Sequence, residues 1–425
     1  MDLLGNDFYL AHVYRTLHWW TRPTHVTVLG DLIGSQWISD GEFESRGGRF
    51  WGRVFNGGNR VPDGEEVGVL GGLEWEKRII NVAGNHDIGY AGDISAARIE
   101  RFERMFGRAN WDVRFRLQPE HLHFANGADN ASSAIPAPTI HLINLNSLTL
   151  DTPALDADIQ SASYAYLNEL IMQRSYPVED RSSFTLLLTH LPLHKEEGIC
   201  TDGPEFTFFD DDDEDDVPRF KEGGLREQNH LSDFVSSNGI LQGIFGMTGN
   251  KDSPGGGLGR NGLILTGHDH TGCDVVHYVN RSVDLDSEEG WKWSARRYTS
   301  PLSAGEGDGE DKTPSIREVT LRSMMGEFGG NAGLLSLWFD ADPDVYEWKY
   351  EISMCALGVQ HIWWAVHVLD LVTLGVLLVY LVLPSSSRES KPEKVGLQKG
   401  VNGEKHSAQS NGHAETKSKS KAVQK

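Results

Sequence analysis

Four short blocks of metal-ligand residues, each placed where an apolar run stops, constrain this chain more than any other feature. In order they are Val28-Leu29-Gly30-Asp31, Gly84-Asn85-His86-Asp87, Thr189-His190 and Gly267-His268-Asp269-His270. A short apolar run bounded by turn residues reads as a buried strand, so each block begins at a strand end. Four strand ends can converge on one spot. Carboxylate, amide oxygen and imidazole together suit two hard, closely spaced divalent ions.

The spacing of the blocks predicts the fold. Strands are expected at His25–Leu29, Arg78–Val82, Ile140–Asn144, Phe184–Thr189 and Gly262–Thr266. Four more, at Asp274–Val279, Ile316–Arg322, Leu334–Phe339 and Tyr346–Ile352, follow without long helices between them. Met1–Trp20, Phe43–Phe55, Ile94–Phe106, Tyr164–Met172 and Leu225–Ser236 carry helical patterns. Strands and helices alternate early and strands cluster late, which predicts an α/β sandwich of two mixed β-sheets flanked by helices. Mobile loops are expected at about 200–224, 246–262 and 303–314, the first containing seven consecutive acids, Asp210–Asp216. Like charge at that density repels itself and stays solvated.

Ile362–Leu383 is a near-continuous apolar run of 22 residues, interrupted by His367 and Asp370. At about 1.5 Å per residue it is long enough to cross roughly 30 Å of hydrocarbon. The central Asp costs about 3 kcal/mol on insertion scales, and fourteen Leu, Ile and Val side chains at about −0.3 to −0.6 each outweigh it. Asp340, Asp342, Asp344, Glu347 and Glu351 precede the run; nine Lys and Arg against four Glu follow it, a net +5. The remainder of the chain therefore carries −27 of the total −22. Such a balance excludes nucleic acid as a partner. The positive-inside rule places the tail in the cytosol and the preceding domain in the lumen. Two sequons, Asn130-Ala131-Ser132 and Asn280-Arg281-Ser282, agree with a luminal domain. Three cysteines without a C-x-x-C exclude a zinc ribbon; Cys200 and Cys273 pair in an oxidising lumen or stay as free thiols. The expected organisation is a helix at 1–23, a catalytic domain at 24–353, a transmembrane helix at 360–383 and a basic tail at 384–425.

Chemistry follows from the blocks. Asp31, at a strand end, is placed to bridge two ions. Asn85, His190 and His268 complete the shell of one ion, and His270 serves the other, since alternate residues past a strand point into one cleft. Paired ions make a nucleophile of water near neutral pH and neutralise charge on a phosphoryl group. His86 is expected to protonate the leaving oxygen, with Asp87 fixing its tautomer. His194 is a possible pocket residue or a surface one.

At these residues the chain resembles the calcineurin-like metallophosphoesterase superfamily. Gly84-Asn85-His86-Asp87-Ile88-Gly89-Tyr90, Thr189-His190-Leu191-Pro192-Leu193-His194 and the stretch from Arg322 to Asn331 resemble its fungal GPI-anchor-remodelling branch. The resemblance covers roughly residues 24–351. It implies a metallophosphoesterase-type sandwich with two divalent ions, Mn2+ by expectation. It also implies an enzyme of the early secretory pathway, in the endoplasmic reticulum or early Golgi membrane, that removes ethanolamine phosphate from a mannose of GPI anchors and so promotes exit of GPI-anchored proteins. The family's first block, an Asp with a His or Gln, and its N-terminal anchor do not precede the Gly30-Asp31 block here, and the reading expects them upstream of Met1. Without that block the second ion's site is incomplete. Two other readings stand beside the first: a phosphomonoesterase or protein phosphatase on the same fold, and a membrane-bound cargo escort with a deficient site.

Overall fold

The computed structural model describes residues 2–64, 67–70, 74–118, 137–173, 177–210, 217–281, 290–299, 313–324 and 329–383. The Asn130 sequon, acids 211–216, nearly all of the 303–314 loop, part of the stretch from Arg322 to Asn331 and the tail from 384 lie outside the described residues. Two compact units divide the chain, Met1–Val366 and His367–Lys425.

In the first unit, helix α1 (Asp2–Thr21) leads to β1 (Val26–Val28), α2 (Asp40–Arg49), β2 (Asn59–Arg60), β3 (Val67–Val69) and β4 (Arg78–Asn81). A single helical turn, α3 (Asn85–Ile88), precedes α4 (Ala96–Phe106), β5 (Trp111–Arg116), β6 (Thr139–Leu145), α5 (Ala157–Met172) and β7 (Ser183–Thr189). Then come β8 (Phe206–Phe208), β9 (Leu225–Gln228), β10 (Gly262–Thr266), β11 (Cys273–Asn280), β12 (Lys292–Arg297) and β13 (Ser315–Thr320). The hairpin of β14 (Asn331–Asp340) and β15 (Glu347–Ala356) leads into α6 (Gln360–Val382).

The large sheet has the order β12-β11-β13-β10-β7-β6-β5-β3 and is mixed, with β6, β7, β10 and β13 parallel at its centre. A three-stranded sheet, β1-β4-β2, is parallel throughout. Period-two alternation divides the core between the faces. Ile79, Ile143, Leu145, Leu187 and Ile264 join the helix-side cluster with Phe43, Phe102, Phe106 and Leu167. Their neighbours Ile80, Leu142, Leu186, Leu188, Leu263 and Leu265 join a second cluster that Trp348 and the inner face of the β14–β15 hairpin cover. Strands buried on both faces need such apolar runs. That is the α/β architecture expected.

One expected helix is corrected. Leu225–Ser236 does not form one: Leu225–Gln228 is strand β9, paired with β8, and helical geometry begins only at Asp233, running on through Val235–Ile244. The apolar spacing of Leu225, Leu231 and Val235 mimics a helix face, whereas the residues bury themselves through a partner strand twenty positions upstream. Trp111–Arg116, not expected as a strand, alternates buried residues with half-buried or exposed ones, as a strand does.

α6 has 23 residues, is long and apolar enough to cross a membrane by length and composition, and has no buried residue. Helix α1 buries Tyr9, Ala11 and Val13, and its Tyr9 hydroxyl donates to the Gly358 carbonyl at 2.6 Å. Cys200 and Cys273 form a disulfide across 73 positions, and Cys355 is a free, exposed thiol. Closing a loop of that length restrains the unfolded chain. Replacing both Cys200 and Cys273 by Ala is expected to lower stability by about 2–4 kcal/mol, seen as a lower denaturation midpoint. Thiol titration of the unfolded, unreduced parent should find one free thiol per chain.

Candidate metal centre

The ligand blocks leave their strands at one edge. β1 and β4 are parallel neighbours, with Val28 opposite Asn81, and β7 pairs in parallel with β10. Ligand crevices of parallel sheets lie at the C-terminal ends of the strands, and here those ends deliver Asp31, Asn85, His190 and His268 together. Gly267 N donates to His190 O at 3.0 Å, and His190 Nδ1 donates to Leu29 O at 2.7 Å, so three strand ends are joined directly.

Carbonyl oxygens only accept, so these bonds set the tautomers. With its proton on Nδ1, His190 turns the Nε2 lone pair to Asn85 Oδ1, 2.9 Å away, and to Asp31 Oδ1 at 3.5 Å. His268 donates from Nε2 to Gln228 O at 2.9 Å and turns the Nδ1 lone pair to the same Asn85 Oδ1 at 3.1 Å. Three lone pairs thus face one another with no proton between them. They repel unless a cation lies among them, and the donor set of amide oxygen, two imidazoles and a nearby carboxylate suits a divalent ion. Each imidazole is backed by a carbonyl, as metal-binding histidines are. Among the described residues no group of three or more His, Cys, Asp or Glu side chains is spaced to hold an ion by itself. The Asn85 oxygen stands at the focus.

Backbone geometry is strained here. Only four described non-glycine residues have left-handed φ, and two are Asp31 (59°) and His268 (68°); strain of this kind persists at functional sites. Gly30, at φ 107°, faces the His190 ring so closely that a Cβ would fall on Nδ1. A Cβ on Gly84 would fall on the Asp31 amide and carboxylate.

Burial pushes the Asp31 carboxyl up, but the imidazoles of His190 and His86, the His86 amide and His268 hold it below the usual range. Burial, then His190, lowers His268 to about 3, so its lone pair is available at neutral pH. His86 is exposed, and its amide donates to Asp31 Oδ1 at 3.0 Å.

Two expected roles change. Asp87 does not hold the His86 imidazole: its wholly buried carboxylate accepts from Ile33 N through Oδ1 and from Gly84 N through Oδ2, both at 2.9 Å. Residues 86 and 87 lie on one helical turn, where neighbours in sequence point apart. Asp87 therefore ties the loop after β1 to the loop after β4. Dehydration, and then the Asp31 charge, push it up to about 8. His270 is not brought into the convergence: it stands exposed, its charge acting on Asp202 and on His268. The rule that alternate residues share a direction fails because His268 is left-handed, which turns the chain out of strand geometry.

Sequence reasoning missed Gln228, whose carbonyl orients His268 and whose amide donates to Asp151 Oδ2 at 2.8 Å. It also missed Tyr90, packed edge-on to His268 with ring centroids 6.1 Å apart. His194 is half-buried against His230, centroids 4.9 Å apart.

Gly30→Ala is expected to displace His190 and weaken Mn2+ binding at least about tenfold, read by calorimetric titration, while circular dichroism stays that of the parent. His25 and His230, both lowered to about 4 by burial, join His268 in preferring the neutral form when folded. The unfolded chain takes up protons first, near pH 6.5. Their stabilisation is therefore fully present above pH 6.5 and lost as pH falls through 4 and towards 3. Melting temperatures of metal-stripped protein should drop over that window.

No protein-family model matches the chain. It is 31% identical to Protein TED1 of Saccharomyces cerevisiae over 420 residues, covering 88% of this chain and 76% of that one. An uncharacterized protein of Schizosaccharomyces pombe is 26% identical, covering 87% and 78%. Metallophosphoesterase 1 of Danio rerio is 24% identical over 65% of this chain and 60% of its own length. The solved structure of GAP50, the anchor in the inner membrane complex of Plasmodium, matches 73% of this chain and 71% of its own at 12% identity, but its TM-score of 0.30 adds nothing to the fold. With the strand-end blocks and these relatives in agreement, this chain belongs with yeast Protein TED1 to a metallophosphoesterase-like superfamily.

Proposed function

We propose that this chain is a metal-dependent phosphodiesterase that removes ethanolamine phosphate from a mannose of GPI anchors. The observation that carries the phosphoesterase reading is the meeting of the His190, His268 and Asn85 lone pairs beside Asp31. Asn85, His190 and His268 would hold one divalent ion, with Asp31 at its edge. Divalent ions, Mn2+ in our reading, supply an activated water and charge neutralisation at phosphorus. The protein's own part is to present lone pairs, to keep Asp31 ionised and to leave His86 exposed beside Asp31, within reach of a leaving oxygen that needs a proton.

The substrate class rests on the resemblance of Gly84–Tyr90 and Thr189–His194 to the GPI-anchor-remodelling branch, and the phosphoesterase class is supported by the metallophosphoesterase 1 relatives. A luminal domain, at residues 24–353, anchored by α6 with the tail in the cytosol, is supported by the acidic flank before α6 and the basic residues after it. It is supported too by the Cys200–Cys273 disulfide, since such bridges belong to oxidising compartments. Location in the endoplasmic reticulum or early Golgi, and GPI-anchored proteins as partners, belong to the same proposal. One observation favours a second reading, a catalytically deficient escort: His270 stands outside the convergence.

The test uses the full chain in detergent micelles, stripped with chelator and reloaded with Mn2+. Turnover of an ethanolamine-phosphate mannoside, reduced roughly hundredfold or more by His190→Ala or Asn85→Ala, is the expected result. Turnover of a phosphopeptide alone ends the GPI reading in favour of a phosphatase. Ion binding without turnover of either substrate favours the escort.

A further inference from the structure

Below the two imidazoles lies a charged group that the proposed reaction does not use. Glu318 sits on β13 at the centre of the large sheet, opposite Ile264 on one side and Val275 on the other, with none of its surface exposed. Its Oε1 accepts from Leu193 N at 2.9 Å and from Thr266 Oγ1 at 3.4 Å. Its Oε2 meets Lys195 Nζ at 3.3 Å and His277 Nε2. Lys195 also donates to Leu193 O at 2.9 Å. Lys195 and His277 are themselves only 5% and 3% exposed.

A buried charge cluster is a poor way to stabilise a sheet, because desolvation cancels most of the attraction, and apolar residues of equal volume do as well or better. Its connections suggest another use. Leu193 and Lys195 follow His190 by three and five residues, and Thr266 ends β10 two residues before His268. One carboxylate therefore grips both loops that carry the imidazoles, as Asp87 grips the loops carrying Asp31 and Asn85. Burial pushes the Glu318 carboxyl up, but Lys195, His277 and the Leu193 amide bring it down to about 2, so the grip is ionic throughout the neutral range.

We propose that Glu318 is a positioning residue for the ion centre, fixing the strand ends from which His190 and His268 project. This rests on reading the convergence as a divalent-ion site. The pair Glu318→Leu with Lys195→Met removes both charges at similar volume, so neither charge is left without its partner, while the Leu193 amide and His277 lose their acceptor. The full chain carrying both substitutions is expected to stay folded with a lower melting temperature, because buried donors lose their acceptor, and to bind Mn2+ roughly 10- to 100-fold more weakly by calorimetry. Glu318→Gln, which keeps the shape, is expected to weaken Mn2+ binding in the same direction, and it decides the question if the double variant does not fold. Parent-like Mn2+ affinity in a folded variant, whatever its melting temperature, overturns the proposal by reducing Glu318 to a structural role. Failure of the parent itself to bind Mn2+ overturns the ion-centre reading, and the role of Glu318 with it.

Discussion

An amide oxygen and two imidazole nitrogens pointed at one another across about 3 Å form the contact on which the rest of this molecule depends. Left alone, the arrangement is unfavourable, and the surrounding structure is built to impose it. Backbone carbonyls of Leu29 and Gln228 fix which nitrogen carries each proton. Glycines at 30 and 84 let the loops approach more closely than any side chain allows. Left-handed backbone at Asp31 and His268 turns each chain sharply at its strand end. Every one of these devices costs conformational freedom, and none improves packing. They make sense as preorganisation for a cation.

Paying for that imposition falls to the sheets. The four central parallel strands are apolar on both faces, one face filled by helices and the other by the hairpin and Trp348. Rigid strands ending at one edge position short loops well, because a loop of two or three residues has little freedom beyond its anchor. The buried carboxyl groups of Asp87 and Glu318 extend the same logic one layer outwards, each crossing between two ligand loops. Burial is costly for both, and each offsets the cost with backbone amides, Glu318 with a lysine as well.

Much of this was legible in the sequence because apolar alternation stops where the ligands begin. Gly262–Thr266 was expected at its observed limits, and Asp31, Asn85, His190 and His268 were all expected to meet. Misreadings came where tertiary contacts decide. Leu225–Gln228 is a strand because β8 offers an edge, which no local pattern announces. Asp87 was assigned to His86 by adjacency, yet a helical turn sends the two side chains in different directions. His270 was assigned by strand periodicity, which ends at a left-handed His268. Glu318 carries no ligand motif, standing between Arg317 and Val319 in an expected strand; its complete burial comes from Leu193, Lys195 and His277 packed against it. The signal for it was present only in combination, as a lysine five residues past one ligand block and an acid in a strand that had to be central.

The disulfide between Cys200 and Cys273 encloses the segment that carries β8, β9, the Val235–Ile244 helix and β10, and with them His230 and His268. Any peptide bond cut between those cysteines leaves two fragments still covalently joined. A protease that clips the exposed turns in that segment therefore produces a nicked molecule rather than a broken one, with its imidazole pair held in register by the sulfur bridge and the sheet.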